Sequence, residues 1–434
     1  MNIVDLIIKK RDGGKLTKDE IQFFINGVVD SSIPDYQVSA MLMAIYFQNL
    51  DNEETSELTL AMADSGDTFD LSSVEGIKVD KHSTGGVADT TTLILAPLVA
   101  SCGVPVVKMS GRGLGFSGGT LDKLESIPGF NISVSGRQAL EYARKSGIVL
   151  MSQTDDLTPA DKKLYALRDV TGTVESIPLI AGSIMSKKIA AGADAIVLDV
   201  KCGSGAFMKD QESATELAKT MADIGRSVGR KVTAVISGMD QPLGMYIGNS
   251  LEVQEAMEIL KGNAAGDLLE VSLTLGSLML MSAEKASSFE EGKKMLMENI
   301  QNGKGLAKFR ELLVQQGGDP AIIDDYSLLP HSPAKTVVTA DRDGYIYSMN
   351  TAGIGRASLE TGAGRAAKED AIDFGAGIIM KVRLGDQVKK GDPLGEIYSA
   401  TEEKCLSAAR YFKDSITIND EKPSIPKLIL DIIK

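Results

Sequence analysis

The segment Ala195-Ile196-Val197-Leu198-Asp199-Val200 decides the fold class, because so short an apolar run is typical of a buried strand. A helical stretch, Glu212–Val228, follows it, and a second apolar run, Val232–Ile236, comes next. Similar runs at Val104–Val107 and Ile148–Met151 also alternate with helical stretches. Such alternation predicts an α/β protein whose mostly parallel central sheet is covered by helices.

Regions of different character flank this pattern. The first 65 residues are predicted to be helical, and Thr17-Lys18-Asp19-Glu20 is a capping-box pattern that begins one helix. Residues 161–191 form two more helical segments inside the α/β region, and residues 251–316 are helical again. After about Pro333, short apolar runs separated by Gly/Asp turns predict a small α+β or β-rich domain.

The composition excludes several classes of protein. The 434 residues carry a net charge of −13, which argues against a surface dedicated to DNA or RNA. Three cysteines are too few for a disulfide framework, and no apolar stretch reaches the ~18 residues of a membrane span. We expect no signal peptide, a cytoplasmic location, and neither nucleic acid nor membrane as a partner.

A glycine-rich turn, Lys81-His82-Ser83-Thr84-Gly85-Gly86-Val87-Ala88-Asp89, has the composition of a phosphate site. It precedes an apolar helix, so its backbone N–H groups lie near a helix N-terminus. Lys81 supplies a cation, Ser83 and Thr84 supply hydroxyl donors, and His82 could donate a proton or a hydrogen bond at the reaction centre. The alternative is an ordinary glycine turn with a surface lysine and histidine.

A second turn of this kind, Lys108–Thr120, follows the strand predicted at Val104–Val107. Turns at the carboxyl ends of parallel strands lie together at one edge of the sheet, so the two turns predict a shared anion site. The letters Gly113-x-Gly115-x-x-Gly118 also match a dinucleotide fingerprint. The glycines begin six residues after the strand, however, and no acidic strand end follows, so we do not expect nicotinamide or flavin binding.

A third cluster lies on the two helical segments within residues 161–191. Tyr165 and Arg168 are three residues apart, and Ser183 and Lys187 are four apart, so each pair shares a helix face. A convergent Ser, Lys and Arg would suit a planar ligand with carbonyl acceptors and a ring N–H. The pattern alone is weak, because cations on a helix surface are usually solvated.

These motifs together resemble those of the thymidine and pyrimidine-nucleoside phosphorylases. The resemblance is carried by the strings Ser110–Glu125, Lys81–Gly86, Leu164–Val170 and Ser186–Lys188, and it extends over essentially the whole chain. It implies a homodimeric pentosyltransferase with a cleft between two domains. The domains implied are a discontinuous all-helical domain for base binding and dimerisation (1–65 plus 161–193), an α/β phosphate-binding domain (77–157 plus 194–330) and a smaller C-terminal α+β subdomain (335–434).

The resemblance implies reversible phosphorolysis of uridine, thymidine and deoxyuridine to the free base and (deoxy)ribose 1-phosphate, without an organic cofactor. His82, Arg168 and Lys187 would be the catalytic residues. The phosphate ligands would be Lys81, Ser83, Thr92, Lys108, Ser110 and Thr120, and the base ligands Tyr165, Arg168, Ser183 and Lys187. A structural potassium ion would be held at Ala88, Thr90, Leu243, Tyr246 and Glu255.

Some positions depart from the family pattern. Phe116 stands where many relatives have His, Ser117 where Thr or Ala is usual, Ala88 where Gly is common, and Tyr246 where a smaller residue is found. Lys108 resembles the broad-specificity enzymes, since strict thymidine phosphorylases tend to have Met at this position. We therefore expect uridine to be accepted as well as thymidine.

Three alternatives stay open at this point. The first is a strict thymidine phosphorylase. The second is an enzyme similar to anthranilate phosphoribosyltransferase, which would need Mg²⁺, yet no dense Asp/Glu motif adjoins the glycine turns. The third comes from residues 375–394, which resemble half of a biotinyl/lipoyl carrier domain. Their Lys381 lies inside a predicted strand and not at a hairpin tip, so we expect a structural β-hairpin there.

Overall fold

The N-terminal region is helical, as predicted, in the computed structural model of the chain. The structure describes residues 1–113, 118–154, 156–365 and 370–434, so Gly115, Phe116 and Ser117 lie outside the described residues. The predicted capping box is confirmed, because Thr17 Oγ1 accepts the Glu20 N–H at 3.3 Å and Glu20 Oε2 accepts the Thr17 N–H at 2.7 Å. The helices are α1 (Ile3–Arg11), α2 (Lys18–Val29), α3 (Asp35–Gln48) and α4 (Asn52–Ala63).

Strands and helices then alternate along the chain. The central sheet contains the strands at Val79–Ser83, Ala195–Cys202, Lys231–Gly238 and Ile429–Ile433, in that order. The strands at Val106–Ser110 and Ile148–Ser152, which the sequence placed in the same sheet, instead pair with each other in a separate two-stranded parallel sheet. The apolar run Ala195–Val200 forms a strand that extends to Cys202. This strand lies between two strands that run parallel to it, and all its residues are buried. The strand predicted at Val104–Val107 begins at Val106, because Pro105 has no N–H to donate to a ladder. In chain order the elements are β1 (Val79–Ser83), α5 (Thr91–Ser101), β2 (Val106–Ser110), α6 (Thr120–Glu125), α7 (Gly136–Ser146), β3 (Ile148–Ser152), α8 (Pro159–Thr171), α9 (Ile177–Ala190), β4 (Ala195–Cys202), α10 (Gln211–Ser227), β5 (Lys231–Gly238), β6 (Tyr246–Gly248), α11 (Asn249–Leu260), α12 (Asp267–Ser282), α13 (Phe289–Gln301) and α14 (Lys304–Gln315).

The helices α8 and α9 pack against the N-terminal helices. Leu164 of α8 and Leu179 of α9 belong to the same buried apolar cluster as Phe24 and Leu42. Further along α9, Met185 belongs to the apolar cluster beneath the central sheet. The helical domain is therefore discontinuous in sequence, and α9 passes from its core to the core of the α/β domain.

The C-terminal region forms two small antiparallel sheets. The order of the first is β6, β9 (Gly377–Met380), β11 (Pro393–Ser399) and β7 (Ala334–Thr339), and that of the second is β10 (Gln387–Val388), β8 (Gly344–Met349) and β12 (Ile416–Asn419). Because β6 precedes α11, the first of these sheets joins the C-terminal region to the α/β domain. The elements are β7 (Ala334–Thr339), β8 (Gly344–Met349), α15 (Thr351–Ser358), β9 (Gly377–Met380), β10 (Gln387–Val388), β11 (Pro393–Ser399), α16 (Glu402–Asp414), β12 (Ile416–Asn419) and β13 (Ile429–Ile433), with short helical turns at Pro320–Ile323, Tyr326–Leu328 and Leu359–Ala363.

Two details of this region differ from the sequence-based expectation. Residues 429–433, expected within the C-terminal subdomain, pair antiparallel with β5 and so cover an edge of the central sheet. Lys381 directly follows β9 instead of lying inside it, and its Nζ lies 3.3 Å from Glu396 Oε2. In the described ranges, no helix is both long and apolar enough to cross a membrane.

Candidate active site between the α/β and helical domains

The first glycine-rich turn joins β1 to α5 and begins beside the buried side chain of Lys81. Lys81 Nζ donates to Thr91 Oγ1 at 2.6 Å and lies 3.7 Å from Asp199 Oδ2 and 3.9 Å from Asp89 Oδ1. Burial lowers the pKa of Lys81, although the two carboxylates oppose this effect. Ser83 Oγ donates to Asp89 Oδ2 at 2.5 Å, so a hydrogen bond joins the beginning of the turn to its end.

The second turn begins at β2, where Lys108 and Ser110 share a strand face because side chains alternate along a strand. Lys108 Nζ donates to the Lys81 carbonyl oxygen and lies 3.5 Å from Asp80 Oδ1. Ser110 Oγ is buried and has no hydrogen-bond partner in the described part of the chain. An unpaired buried hydroxyl costs free energy, so a ligand that bonds to it gains an interaction.

Lys123 of α6 holds the two turns together. Its Nζ donates to the Asp89 carbonyl oxygen at 2.8 Å and pairs with Glu252 Oε2. Thr92 and Thr120, the remaining predicted phosphate ligands, lie in the first turns of α5 and α6. The structure thus brings the two turns to one edge of the α/β domain, each followed by a helix N-terminus.

Carboxylates that the sequence analysis missed surround these lysines. Asp80 accepts Lys188 Nζ at 2.7 Å, and Asp199 pairs with Lys201 at 2.8 Å. Burial opposes charge on Asp80, but Lys108 and Lys188 together lower its pKa. Among the described residues this network has one more cation than carboxylates, and such a local excess favours an anion. Its members are Lys81, Lys108, Lys123, Lys188 and Lys201 with Asp80, Asp89, Asp199 and Glu252.

Lysines of both domains affect the pKa of His82. Burial lowers its pKa well below 6.5, and Lys188, Lys108, Lys81 and Lys187 lower it further, in that order. The imidazole is therefore neutral at pH 7. A neutral imidazole has one N–H donor, so His82 can donate a hydrogen bond but carries no positive charge in this state.

The third cluster forms between α8 and α9 around another carboxylate that the sequence analysis missed. Lys187 Nζ forms an ion pair with Asp161 and donates to Ser183 Oγ at 2.8 Å. Lys188, the next residue, reaches Asp80 in β1. This end of α9 therefore places Lys187 at the boundary between the helical cluster and the network of buried lysines and carboxylates.

Arg168 is placed differently from Lys187, since its guanidinium serves the connection between α8 and α9. Nε donates to the Thr173 carbonyl oxygen at 3.2 Å, Nη1 to that of Leu179 at 3.0 Å and Nη2 to that of Val174 at 2.6 Å. The Tyr165 ring lies 5.8 Å from the guanidinium carbon. Three of the five N–H donors are thus occupied, and contact of Arg168 with a base stays a prediction.

The predicted potassium positions come together around a buried carboxylate. Glu255 Oε1 and Oε2 accept the N–H groups of Met245 at 2.7 Å and Tyr246 at 3.2 Å. Burial raises the pKa of Glu255 to about 7. The Leu243 N–H donates to the Val87 carbonyl oxygen, which brings the segment containing Ala88 and Thr90 beside residues 243–246. Both carboxylate oxygens of Glu255 thus accept backbone N–H groups, and a potassium ion at these positions stays a prediction.

Comparison with known proteins assigns a family to most of the chain. Residues 4–66 match a glycosyl transferase family, helical bundle domain, and residues 75–306 match its a/b domain. Residues 345–419 match the pyrimidine nucleoside phosphorylase C-terminal domain. The three matches follow the chain in the order of the helical, α/β and C-terminal regions described above.

Full-length relatives agree with these matches. The pyrimidine-nucleoside phosphorylases of Geobacillus stearothermophilus and Bacillus subtilis (strain 168) are each 55% identical over 433 residues, covering 100% of both chains. The anthranilate phosphoribosyltransferase of Thermus thermophilus has a similar structure, with a TM-score of 0.60 at 17% identity over 71% of this chain and 98% of its own. At that identity the likeness shows the fold alone.

Proposed function

Because the chain belongs to the pyrimidine-nucleoside phosphorylase family, we propose that it catalyses reversible phosphorolysis of uridine, thymidine and deoxyuridine. An oxygen of hydrogen phosphate forms a bond to C1′ of the sugar while the C1′–N bond to the base breaks. The base takes up the proton that hydrogen phosphate gives up, and the products are the free base and (deoxy)ribose 1-phosphate. The observation that carries the proposal is the unpaired buried hydroxyl of Ser110, which shares a strand face with Lys108 beside a network of excess positive charge. No organic cofactor takes part.

The α/β side holds the nucleophile. The ammonium groups of Lys81 and Lys108 and the hydroxyl of Ser110 bind the phosphate, and Ser83, Thr92 and Thr120 complete its ligands. Two glycine-rich turns ahead of helix N-termini add backbone N–H donors. Because these groups are fixed by the buried network, phosphate is oriented before reaction, which lowers the entropic part of the barrier.

The helical side stabilises the departing base. The base leaves with the electron pair of the C1′–N bond, so negative charge develops on its ring and on O2. Lys187, with Ser183, donates to that charge, and Arg168 and Tyr165 adjoin the same position. Donors fixed in advance at a developing charge are among the largest contributions to catalysis. His82, neutral and between the two sides, donates a hydrogen bond to the reacting nucleoside.

The test is base release from uridine and from thymidine, each with and without phosphate, followed by absorbance. Phosphate-dependent release from both substrates is expected. Release from thymidine alone would keep the family and overturn broad specificity. Release from neither would overturn the proposed activity, and the enzyme would then be assayed with Mg²⁺ and phosphoribosyl pyrophosphate.

We also propose a structural potassium ion beside Glu255. The carboxylate of Glu255 and the oxygens of Ala88, Thr90, Leu243 and Tyr246 would hold the ion and connect the first glycine-rich turn to residues 243–246. The melting temperature should be higher in potassium chloride than in tetramethylammonium chloride at equal ionic strength. Glu255→Gln should lose this difference, and an equal potassium effect in both proteins would overturn the assignment.

A homodimer formed through the helical domain is the final part of the proposal. Tyr36 and Phe47, at opposite ends of α3, are 74% and 75% exposed, and Val4 and Ile8 of α1 are exposed as well. These exposed apolar side chains of the helical domain are the candidate contacts of the dimer interface. Sedimentation analysis should give a dimer for the native chain and a monomer for Phe47→Glu. A monomeric native chain would overturn this part.

A further inference from the structure

One carboxylate ties together the two ends of the second glycine-rich turn. Asp122, in the first turn of α6, is almost fully buried, and its Oδ2 accepts the Gly113 N–H at 2.6 Å. The Leu121 N–H donates to the Gly111 carbonyl oxygen at 3.3 Å, so the chain that leaves Ser110 folds back onto α6. The turn depends on the position of the Asp122 carboxylate, because that carboxylate lies at its point of closure.

The backbone at Gly119 packs closely against Gly113 and Asp122. A Cβ atom added at Gly119 would lie 1.9 Å from Gly113 N and 2.5 Å from Asp122 Oδ2. A small shift of the carboxylate would therefore move Gly113 and, with it, the chain that leaves the predicted phosphate ligand Ser110. Placement errors of about 1 Å can cost an enzyme about 100-fold in rate.

The C-terminal subdomain supplies a cation to this carboxylate. Arg365 Nη1 donates to Asp122 Oδ1 at 2.9 Å, and the Arg365 side chain is only 20% exposed. Arg112 also contacts Oδ1, at 3.1 Å, but its side chain is 45% exposed and also pairs with Glu125. The chain just before Arg365 is anchored to the α/β domain, because Asn249 Nδ2 donates to the Ala363 carbonyl oxygen at 2.8 Å.

We propose that Arg365 is a positioning residue for phosphate: through Asp122 it fixes the turn that carries Ser110 and Thr120. Arg365 acts on the turn and does not itself touch substrate. A buried carboxylate that loses a cationic partner is destabilised, so without Arg365 the Asp122 carboxylate would shift toward solvent. The inference rests on the proposed phosphorolysis and adds a role for the C-terminal subdomain in it.

The test compares Arg365→Ala, Arg365→Lys and Asp122→Asn with the native enzyme. Arg365→Ala should raise KM for phosphate about tenfold and leave KM for uridine within about twofold, because only one substrate contacts the affected turn. Arg365→Lys should recover part of the loss, since a lysine keeps the charge but not the planar fork. The double variant Arg365→Ala/Asp122→Asn should be no worse than Asp122→Asn, because the two residues act through one contact.

The matched control is Arg342→Ala. Arg342 lies in the same subdomain and pairs with Asp420, with both side chains largely exposed. This variant should keep the native KM values. If Arg342→Ala raised KM for phosphate as much as Arg365→Ala does, the increase would come from a general effect on the subdomain and not from the contact between Arg365 and Asp122.

Calorimetric titration with inorganic phosphate separates this inference from the proposed activity. If the native protein binds phosphate but releases no base, the proposed activity fails while the titration still measures Arg365. An unchanged phosphate Kd in Arg365→Ala, or in Arg365→Lys where the alanine variant does not fold, would overturn the inference. Equal increases in KM for phosphate and uridine would also overturn it.

Discussion

The two sides of the proposed site hold their cations in different ways. On the phosphate side, Lys81 and Lys108 are buried within a network of carboxylates on neighbouring strands. On the base side, Lys187 is 20% exposed and pairs with Asp161 alone among the described carboxylates. The phosphate side is therefore a fixed charged surface that several residues share, whereas the base side depends on one lysine at the end of α9.

The largest effect should follow from removing that lysine. Lys187→Ala should lower kcat by about 100- to 1,000-fold, because a fixed donor at a developing negative charge acts mainly in the transition state. Steady-state rates with uridine and thymidine at saturating phosphate measure this. The melting temperature should fall as well, because the Asp161 side chain is only 6% exposed and loses its ion-pair partner.

Lys219→Ala, an exposed lysine on α10, is the matched control for Lys187→Ala and should keep native rates. Asp161→Asn should give a smaller loss than Lys187→Ala, because the ammonium group remains but loses its orienting partner. A decrease of less than about threefold for Lys187→Ala would remove it from the base side, given the usual size of such donors' effects.

The next effect concerns the network. Lys81→Met keeps the length of the side chain and removes its charge, so kcat/KM for phosphate should fall about 100-fold. Asp199 keeps Lys201 as an ion-pair partner at 2.8 Å, and the variant should therefore remain folded. Rates measured with phosphate varied at saturating uridine test this. An equal fall in kcat/KM for uridine at saturating phosphate would show that Lys81 does not act on phosphate specifically.

The sequence was sufficient for parts of the site that are local along the chain. Lys81 and Lys108 stand next to glycine-rich turns after apolar runs, and the structure brings these turns together, since Lys108 Nζ donates to the Lys81 carbonyl oxygen. The expectation of one shared sheet was wrong, because β1 belongs to the four-stranded sheet and β2 to the two-stranded sheet. The spacing of Ser183 and Lys187 likewise predicts their shared face, and the structure gives a hydrogen bond between them. Each of these inferences needs only the periodicity of one element.

Partners from distant parts of the chain were missed because periodicity carries no information about them. Asp199 interrupts the apolar run of β4, and its pairing with Lys81 arises from the register between β4 and β1. The antiparallel pairing of β13 with β5 was missed for the same reason, since β13 is distant from β5 along the chain. An isolated acidic residue in a buried strand is a usable signal, since a buried carboxylate needs a cation or a metal.

On the base side, loss of Arg168 should affect the stability of the protein more than loss of Lys187 does. Arg168→Lys cannot reach all three carbonyl oxygens of the α8–α9 connection, and each buried carbonyl left unpaired costs about 1–3 kcal/mol. We expect a lower free energy of unfolding than for Lys187→Ala, measured by urea denaturation. If stability is unchanged and kcat falls strongly, the guanidinium donors of Arg168 that have no carbonyl partner would instead bind the substrate.

The smallest effect is a pH dependence specific to the phosphate side. Burial lowers the pKa of Lys108 to about 7, with Asp80 opposing the shift. The ammonium form therefore predominates below this pH and the neutral amine above it, and the charged fraction falls about tenfold between pH 6 and pH 8. Since kcat/KM reports ionisations of the free enzyme, kcat/KM for phosphate should lose the contribution of Lys108 as pH rises through 7.

Comparison with Lys108→Met and Lys108→Arg isolates this contribution, because phosphate ionises identically in all three assays. Arginine stays charged throughout the range, and methionine is never charged, so neither variant should show the decline. The ratio of native to variant kcat/KM should fall with rising pH in both cases. A constant ratio would mean that Lys108 keeps one charge state across this range, and the buried carboxylates would then hold its proton more strongly than burial removes it.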